Sequence, residues 1–201
     1  MTTISAAKVK ELRNATGAGM MDCKQALIEA KGDFDKAIEV LRKKGLAALK
    51  KRAGRTAREG LVETYVHAGG RLGVLIEINC ETDFVARSQD FKEFAHDIAM
   101  QVAASNPLYI SREEISPEVI EKEREIVRLQ TLNEGKPEAV VEKIVEGRLE
   151  KFFEEVCLLE QPFVKDLNLK VQDVLSSLAG KIGENIIIRR FSRYQLGELE
   201  E

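Results

Sequence analysis

Between Leu72 and Cys80 an apolar residue falls at every second position: Leu72, Val74, Ile76, Ile78 and Cys80. In a strand, successive side chains point to opposite faces, so this spacing gathers all five on one side, which a helix cannot do. Residues 61–67 come before it across Gly69-Gly70, a pair suited to the positive backbone angles of a tight turn. The two runs predict an antiparallel β-hairpin. An isolated hairpin is marginal, so its apolar face needs a cover. Residues 88–104 supply one. Phe91, Phe94, Ala95, Ile98 and Val102 form a helical stripe behind Ser88, a natural N-cap. Near the end of the chain, a helix over 171–182, a break at Gly183-Glu184 and a strand over 185–191 complete an antiparallel sheet. The expected class is therefore α+β, with helices packed on a small sheet.

Before residue 61 the apolar spacing is three and four. A first helix over 5–15 has Ser5 as its N-cap, Val9 and Leu12 on one face, and Gly17 as its stop. A second follows Gly17-Ala18-Gly19 with Cys23, Ala26, Leu27 and Ala30 inward, and stops at Gly32. A third starts after Asp33, turns Phe34, Ala37, Ile38 and Leu41 inward, and ends at Gly45. Residues 42–58 carry eight basic groups and no acid, and read as a linker with partial helix over 46–51. A helical hairpin occupies about 116–156, its arms 117–133 and 137–156 split by Gly135-Lys136-Pro137, with Pro137 in the first turn of the second arm. The expected division is a three-helix unit at 1–50, a basic linker at 51–59, and an α+β core at 60–201.

The formal charge of −3 hides a split. Residues 1–58 hold 14 basic and 6 acidic groups, whereas residues 113–160 hold 7 and 14. Nucleic acid is one target for such a basic head. The basic run, however, has no interleaved aromatics, which favours a solvated linker. Two His and three Cys, none at metal-ligand spacing, argue against a metal site; the scattered cysteines suit a reducing, cytoplasmic setting. No apolar run exceeds four residues, so no membrane span is expected. The chain has no phosphate-cradling glycine loop, no dinucleotide fingerprint and no nucleophile elbow. These absences favour a protein that acts by binding, with no cofactor of its own, over an enzyme.

Thr82-Asp83-Phe84-Val85 joins the buried strand to the helix at Ser88, and the stripe beginning at Phe91 has no need of Phe84. Two readings are open. The segment is a functional connection, or Asp83 caps an early helical turn with Phe84 tucked beneath it.

Several stretches resemble the elongation factor Ts family. Val9-Lys10-Glu11-Leu12-Arg13 followed by Thr16-Gly17-Ala18-Gly19-Met20-Met21-Asp22-Cys23-Lys24 is similar to its N-terminal module. Thr82-Asp83-Phe84-Val85, Ile98-Ala99-Met100, Val145-Glu146-Gly147-Arg148, Gln161-Pro162-Phe163-Val164 and Lys181-Ile182-Gly183-Glu184-Asn185-Ile186 also match, in order and over essentially the whole chain.

The resemblance implies nucleotide exchange on elongation factor Tu, with the nucleotide and magnesium belonging to the partner. It implies that the head, similar to ubiquitin-associated domains, docks on the partner's GTPase domain through Leu12, Met20 and Met21. By its spacing, Leu12 is equally a core residue. The resemblance assigns Thr82, Asp83, Phe84 and Val85 to the segment that disturbs the partner's magnesium site, and His67 and Ile182 to contact with its third domain. This chain has one copy of the sheet core where long family members have two, which implies a homodimer and a two-plus-two complex without direct nucleic-acid contact. The alternative is an RNA- or ribosome-associated module that uses the basic head and linker.

Overall fold

The alternating run becomes the middle strand of a three-stranded antiparallel sheet in the computed structural model, which describes residues 4–198. Strand β1 (Glu59–Val66) pairs with β2 (Leu72–Cys80), and β2 pairs with the last long strand, called β5 below (Ile187–Gln195). The turn at Gly69-Gly70 closes with His67 N–H donating to Leu72 O at 2.9 Å. Gly60, with φ +144°, lies so close to β2 that a Cβ there would sit 2.1 Å from Ile78 O. Only glycine permits that approach.

A one-turn helix α4 (Asp83–Ala86) leaves β2 and leads into α5 (Gln89–Ser105), which Ser88 caps. Val74, Ile76, Ile78 and Cys80 of β2 are buried with Phe91, Ile98 and Val102 of α5, as the two periodicities require. Helix α8 (Val171–Ile182) adds Val171, Leu175 and Ala179 to the same cluster. Two short strands, β3 (Pro162–Phe163) and β4 (Asp166–Lys170), form a second small sheet ahead of α8. The sequence gives little sign of them, because a two-residue strand has no period.

Two further apolar clusters stand apart from this one. In the first, α1 (Ala6–Thr16), α2 (Met20–Glu29) and α3 (Phe34–Arg52) enclose Leu12, Leu27, Cys23, Ala26 and Ala37. In the second, α6 (Pro117–Asn133) and α7 (Glu138–Val156) enclose Val127, Val141, Val145, Leu149 and Phe153. Pro137 is the N-cap of α7 and not a residue of its first turn, because its ψ of 136° is still extended. Arg112 fastens this hairpin to the core. Its guanidinium donates to Glu150 at 2.9 and 2.7 Å, pairs with Glu160, and lies 4.2 Å from the centre of the Phe153 ring.

Gly45 does not end the third helix. Helix α3 runs through it to Arg52, so the partial helix expected over 46–51 is a continuation of the third helix. An interior glycine costs a helix about 1 kcal/mol relative to alanine. Packing offsets this here: α3 lies against α8, and a Cβ on Gly45 would come 3.4 Å from Ser176 Cβ. Arg52 also donates to Ala179 O at 3.1 Å, and Ser177 Oγ donates to Thr16 O at 3.2 Å. The basic segment thus seats the three-helix unit on the core, above a cleft of about 610 Å³ whose lining includes Leu41, Phe94, Leu169 and Val174.

Candidate functional site

Beyond Cys80 the chain leaves the sheet with Thr82 extended (φ −127°, ψ 151°), and the Thr82 hydroxyl accepts from Val85 N–H at 3.4 Å, capping α4. The cap is therefore Thr82, not Asp83. Successive helix residues are about 100° apart, so a single turn that buries Val85 and Ala86 against the sheet must turn Phe84 away. Phe84 is 81% exposed, the most exposed of the large apolar side chains among the described residues. A tucked Phe84 is excluded. Asp83 is exposed beside it and pairs with Arg87 at 2.9 Å.

This turn is held from both sides. Downstream, Ser88 Oγ donates to Val85 O at 2.8 Å. Upstream, Cys80 Sγ donates to Thr82 O at 3.2 Å. Burial and the neighbouring Glu184 carboxylate push the Cys80 thiol up to about 11, so it stays protonated near neutral pH and keeps that donor. Across the sheet, the Glu184 carboxylate accepts Glu81 N–H at 3.0 Å, Thr82 N–H at 3.1 Å and the Thr82 hydroxyl at 2.7 Å. Glu81 in turn accepts Asn185 N–H at 2.6 Å and lies 3.4 Å from the Arg55 guanidinium, while Asn185 Nδ2 donates to Arg55 O at 2.9 Å. The sequence showed Thr82–Val85 as a connection whose Phe84 the α5 stripe did not need. It gave no sign of Glu184, Glu81, Asn185 and Arg55 as its supports, since these contacts join residues as much as 130 positions apart.

The other candidate residues separate by burial and position. Leu12 is fully buried in the three-helix unit. A side chain without accessible surface cannot touch a partner while its own bundle stays folded, so its packing role is the one that this geometry accommodates. Met20 and Met21, at the start of α2, are 46% and 73% exposed. Ile182 ends α8, half-buried, two residues before Glu184 and so at the Phe84 end of the sheet. His67 is exposed at the opposite end, its Nδ1 2.9 Å from Tyr65 Oη. Nine-residue β2 separates the two ends by about 27 Å. One chain does not bring His67 and Ile182 together.

Several basic residues of the head are engaged within the chain. Lys44 pairs with Glu29 at 2.7 Å, Lys8 donates to Gly32 O at 2.7 Å, and Arg52 and Arg55 make the contacts given above. Among the described residues, no group of three or more His, Cys, Asp or Glu side chains is placed to hold a metal ion. No helix among them is long and apolar enough to cross a membrane.

The family model "Elongation factor TS" matches residues 3–198. Elongation factor Ts of Carboxydothermus hydrogenoformans is 67% identical over 195 residues, which are 97% of this chain and 90% of that protein. The protein of the same name from Moorella thermoacetica is 64% identical over 97% of this chain and 96% of its own length. That from Caldanaerobacter subterraneus is 63% identical over 97% and 98%.

Proposed function

Because the chain belongs to the elongation factor Ts family, we propose that it acts in the cytoplasm as a guanine nucleotide exchange factor for elongation factor Tu. It makes and breaks no covalent bond. It binds the GDP form of the partner, disturbs the magnesium site there, and stabilises the nucleotide-free state so that GDP leaves. The single observation that carries this reading is Phe84, a large apolar side chain held out in solvent on a turn whose own backbone is pinned. Asp83, on the same turn, places a carboxylate where it competes for a cation's surroundings.

The magnitudes limit what Phe84 does alone. An exchange factor that weakens nucleotide binding ~1,000-fold must favour the nucleotide-free partner by about 4 kcal/mol. Burying one Phe supplies about 1.5–3 kcal/mol. The remainder comes from lost metal coordination and from the wider interface, where Met20 and Met21 are, with Ile28, exposed apolar residues of the docking unit α1–α3. Leu12 is buried in the core of that unit and supports it by packing. Linkage is reciprocal, so nucleotide expels the exchange factor by the same factor.

His67 and Ile182, at opposite ends of one sheet, reach a common partner domain when they come from two copies of the chain. The outward face of the sheet suits this pairing. Val62, Val66, Leu75 and Tyr194 are exposed on it. Light scattering is expected to give twice the chain mass, and a concentration-independent monomer would overturn the dimer. The RNA-binding alternative is the weaker reading, since the basic run has no interleaved aromatics for bases to stack on and the alternative leaves the exposed Phe84 without a role. The deciding experiment is stopped-flow release of fluorescent GDP from elongation factor Tu. Addition of this protein accelerates release in proportion to its concentration before saturating; an unchanged rate refutes the exchange function.

A further inference from the structure

We infer that Glu184 is a positioning residue for exchange: its carboxylate sets the direction in which Phe84 is presented. The inference rests on the exchange reading above and adds to it a residue distant in sequence, on the turn that leads into the neighbouring strand β5. The argument begins with the two backbone N–H groups that follow β2. Strand pairing ends at Cys80, so Glu81 and Thr82 have no neighbouring strand to take their donors. A loop with two free donors samples many conformations and carries Phe84 with it. Glu184 Oε2 takes both donors, at 3.0 and 3.1 Å, and Oε1 takes the Thr82 hydroxyl at 2.7 Å.

Three bonds on one carboxylate fix the residue that caps α4. Because α4 is a single turn, its cap sets its axis, and its axis sets the Phe84 vector. Glu184 is itself placed by Gly183, whose φ of +87° ends α8 and turns the chain back towards β2. Buried Asn185 anchors the same turn through its side-chain bond to Arg55 O at 2.9 Å. A carboxylate so placed costs little to reorganise when the partner arrives, and orienting a side chain that acts in the release step raises the rate of that step.

The test is stopped-flow GDP release from elongation factor Tu with the full-length variants Glu184→Ala, Glu184→Gln and Phe84→Ala, resolved into a saturating rate and a half-saturating concentration. Hydrogen exchange of the Glu81 and Thr82 amides is followed in the same proteins. Glu184→Ala is expected to lose protection at both amides and to release GDP about tenfold more slowly at saturation, with the half-saturating concentration within about threefold of the parent. Glu184→Gln retains an oxygen for the two N–H donors and an amide that donates to the Thr82 hydroxyl, so it is expected to restore both readouts to within about twofold.

Normal release by Glu184→Ala alongside slow release by Phe84→Ala overturns the inference and leaves the exchange reading intact. Normal release by Phe84→Ala overturns both the role given to Phe84 and the inference, whereas no acceleration by the parent protein overturns the exchange reading itself. Glu184→Gln as slow as Glu184→Ala also overturns the inference, because a hydrogen-bond brace is rescued by the amide. Should Glu184→Ala not fold, Glu184→Asp takes its place. Its carboxylate is one methylene short of the donors, and a normal saturating rate for it refutes the inference.

Discussion

The three-helix unit and the Phe84 end of the sheet both display apolar side chains to solvent, but they are built to different stiffness. The first encloses mainly small residues (Cys23, Ala26, Ala37) around Leu12 and Leu27, and leans on the core mainly through α3. The second stands on a cluster containing Phe91, Ile76, Ile78 and Ile98, and its turn is tied by side chains from four segments. Flexible methionines on a light bundle suit an adaptable surface that contributes affinity. A rigid phenylalanine on a braced turn suits a task in which direction matters. Under the proposed function, the contrast assigns binding to the first region and exchange to the second.

The most disruptive way to test that separation is Leu12→Ala. Emptying a fully buried leucine site costs about 2–5 kcal/mol, a large share of what so small a bundle has. Amides of α1 and α2 are expected to lose hydrogen-exchange protection while those of β2 keep theirs. Loss of protection in both would mean that the two regions unfold as one.

A gentler variant is Met20→Ala with Met21→Ala, which leaves the bundle core intact. The half-saturating concentration for GDP release is expected to rise about tenfold, equivalent to about 1.4 kcal/mol, with the saturating rate unchanged. A lowered saturating rate would erase the distinction between the two surfaces.

The smallest expected effect lies in the helical hairpin, outside both surfaces. Hydrogen bonds from Arg112 hold the Glu150 carboxyl below its ordinary 4.5. A group with a depressed folded value adds stability that is present above about 4.5 and fades as the pH falls through that depressed value. Glu150→Gln removes this dependence, so acid titration of the melting temperature should be slightly shallower than in the parent. An identical slope would show that the pair contributes nothing there, as exposed pairs often do.

How much of this was legible in the sequence depends on the range of the interaction responsible. The β2 alternation and the α5 stripe are local periods that burial enforces, and both are realised with their caps. Gly45 was misleading because what carries the helix through it is tertiary: α3 packs along α8, with Ser176 at contact distance from Gly45. Phe84 could be recognised as surplus to the core stripe, but whether it pointed inward or outward depended on which of Thr82 and Asp83 capped the turn. The choice of Thr82 rests partly on Glu184, 102 residues away, which no local pattern encodes. The family resemblance located the segment; the hydrogen bonds explain why it is rigid.

The central claim is that Phe84 drives release and does not merely add to binding. Stopped-flow GDP release from elongation factor Tu, titrated with parent and Phe84→Ala proteins, tests it most directly. The saturating rate is expected to fall about 10- to 100-fold, the range set by losing one buried Phe, while the half-saturating concentration stays within about threefold. An unchanged saturating rate, whatever happens to the half-saturating concentration, would contradict it.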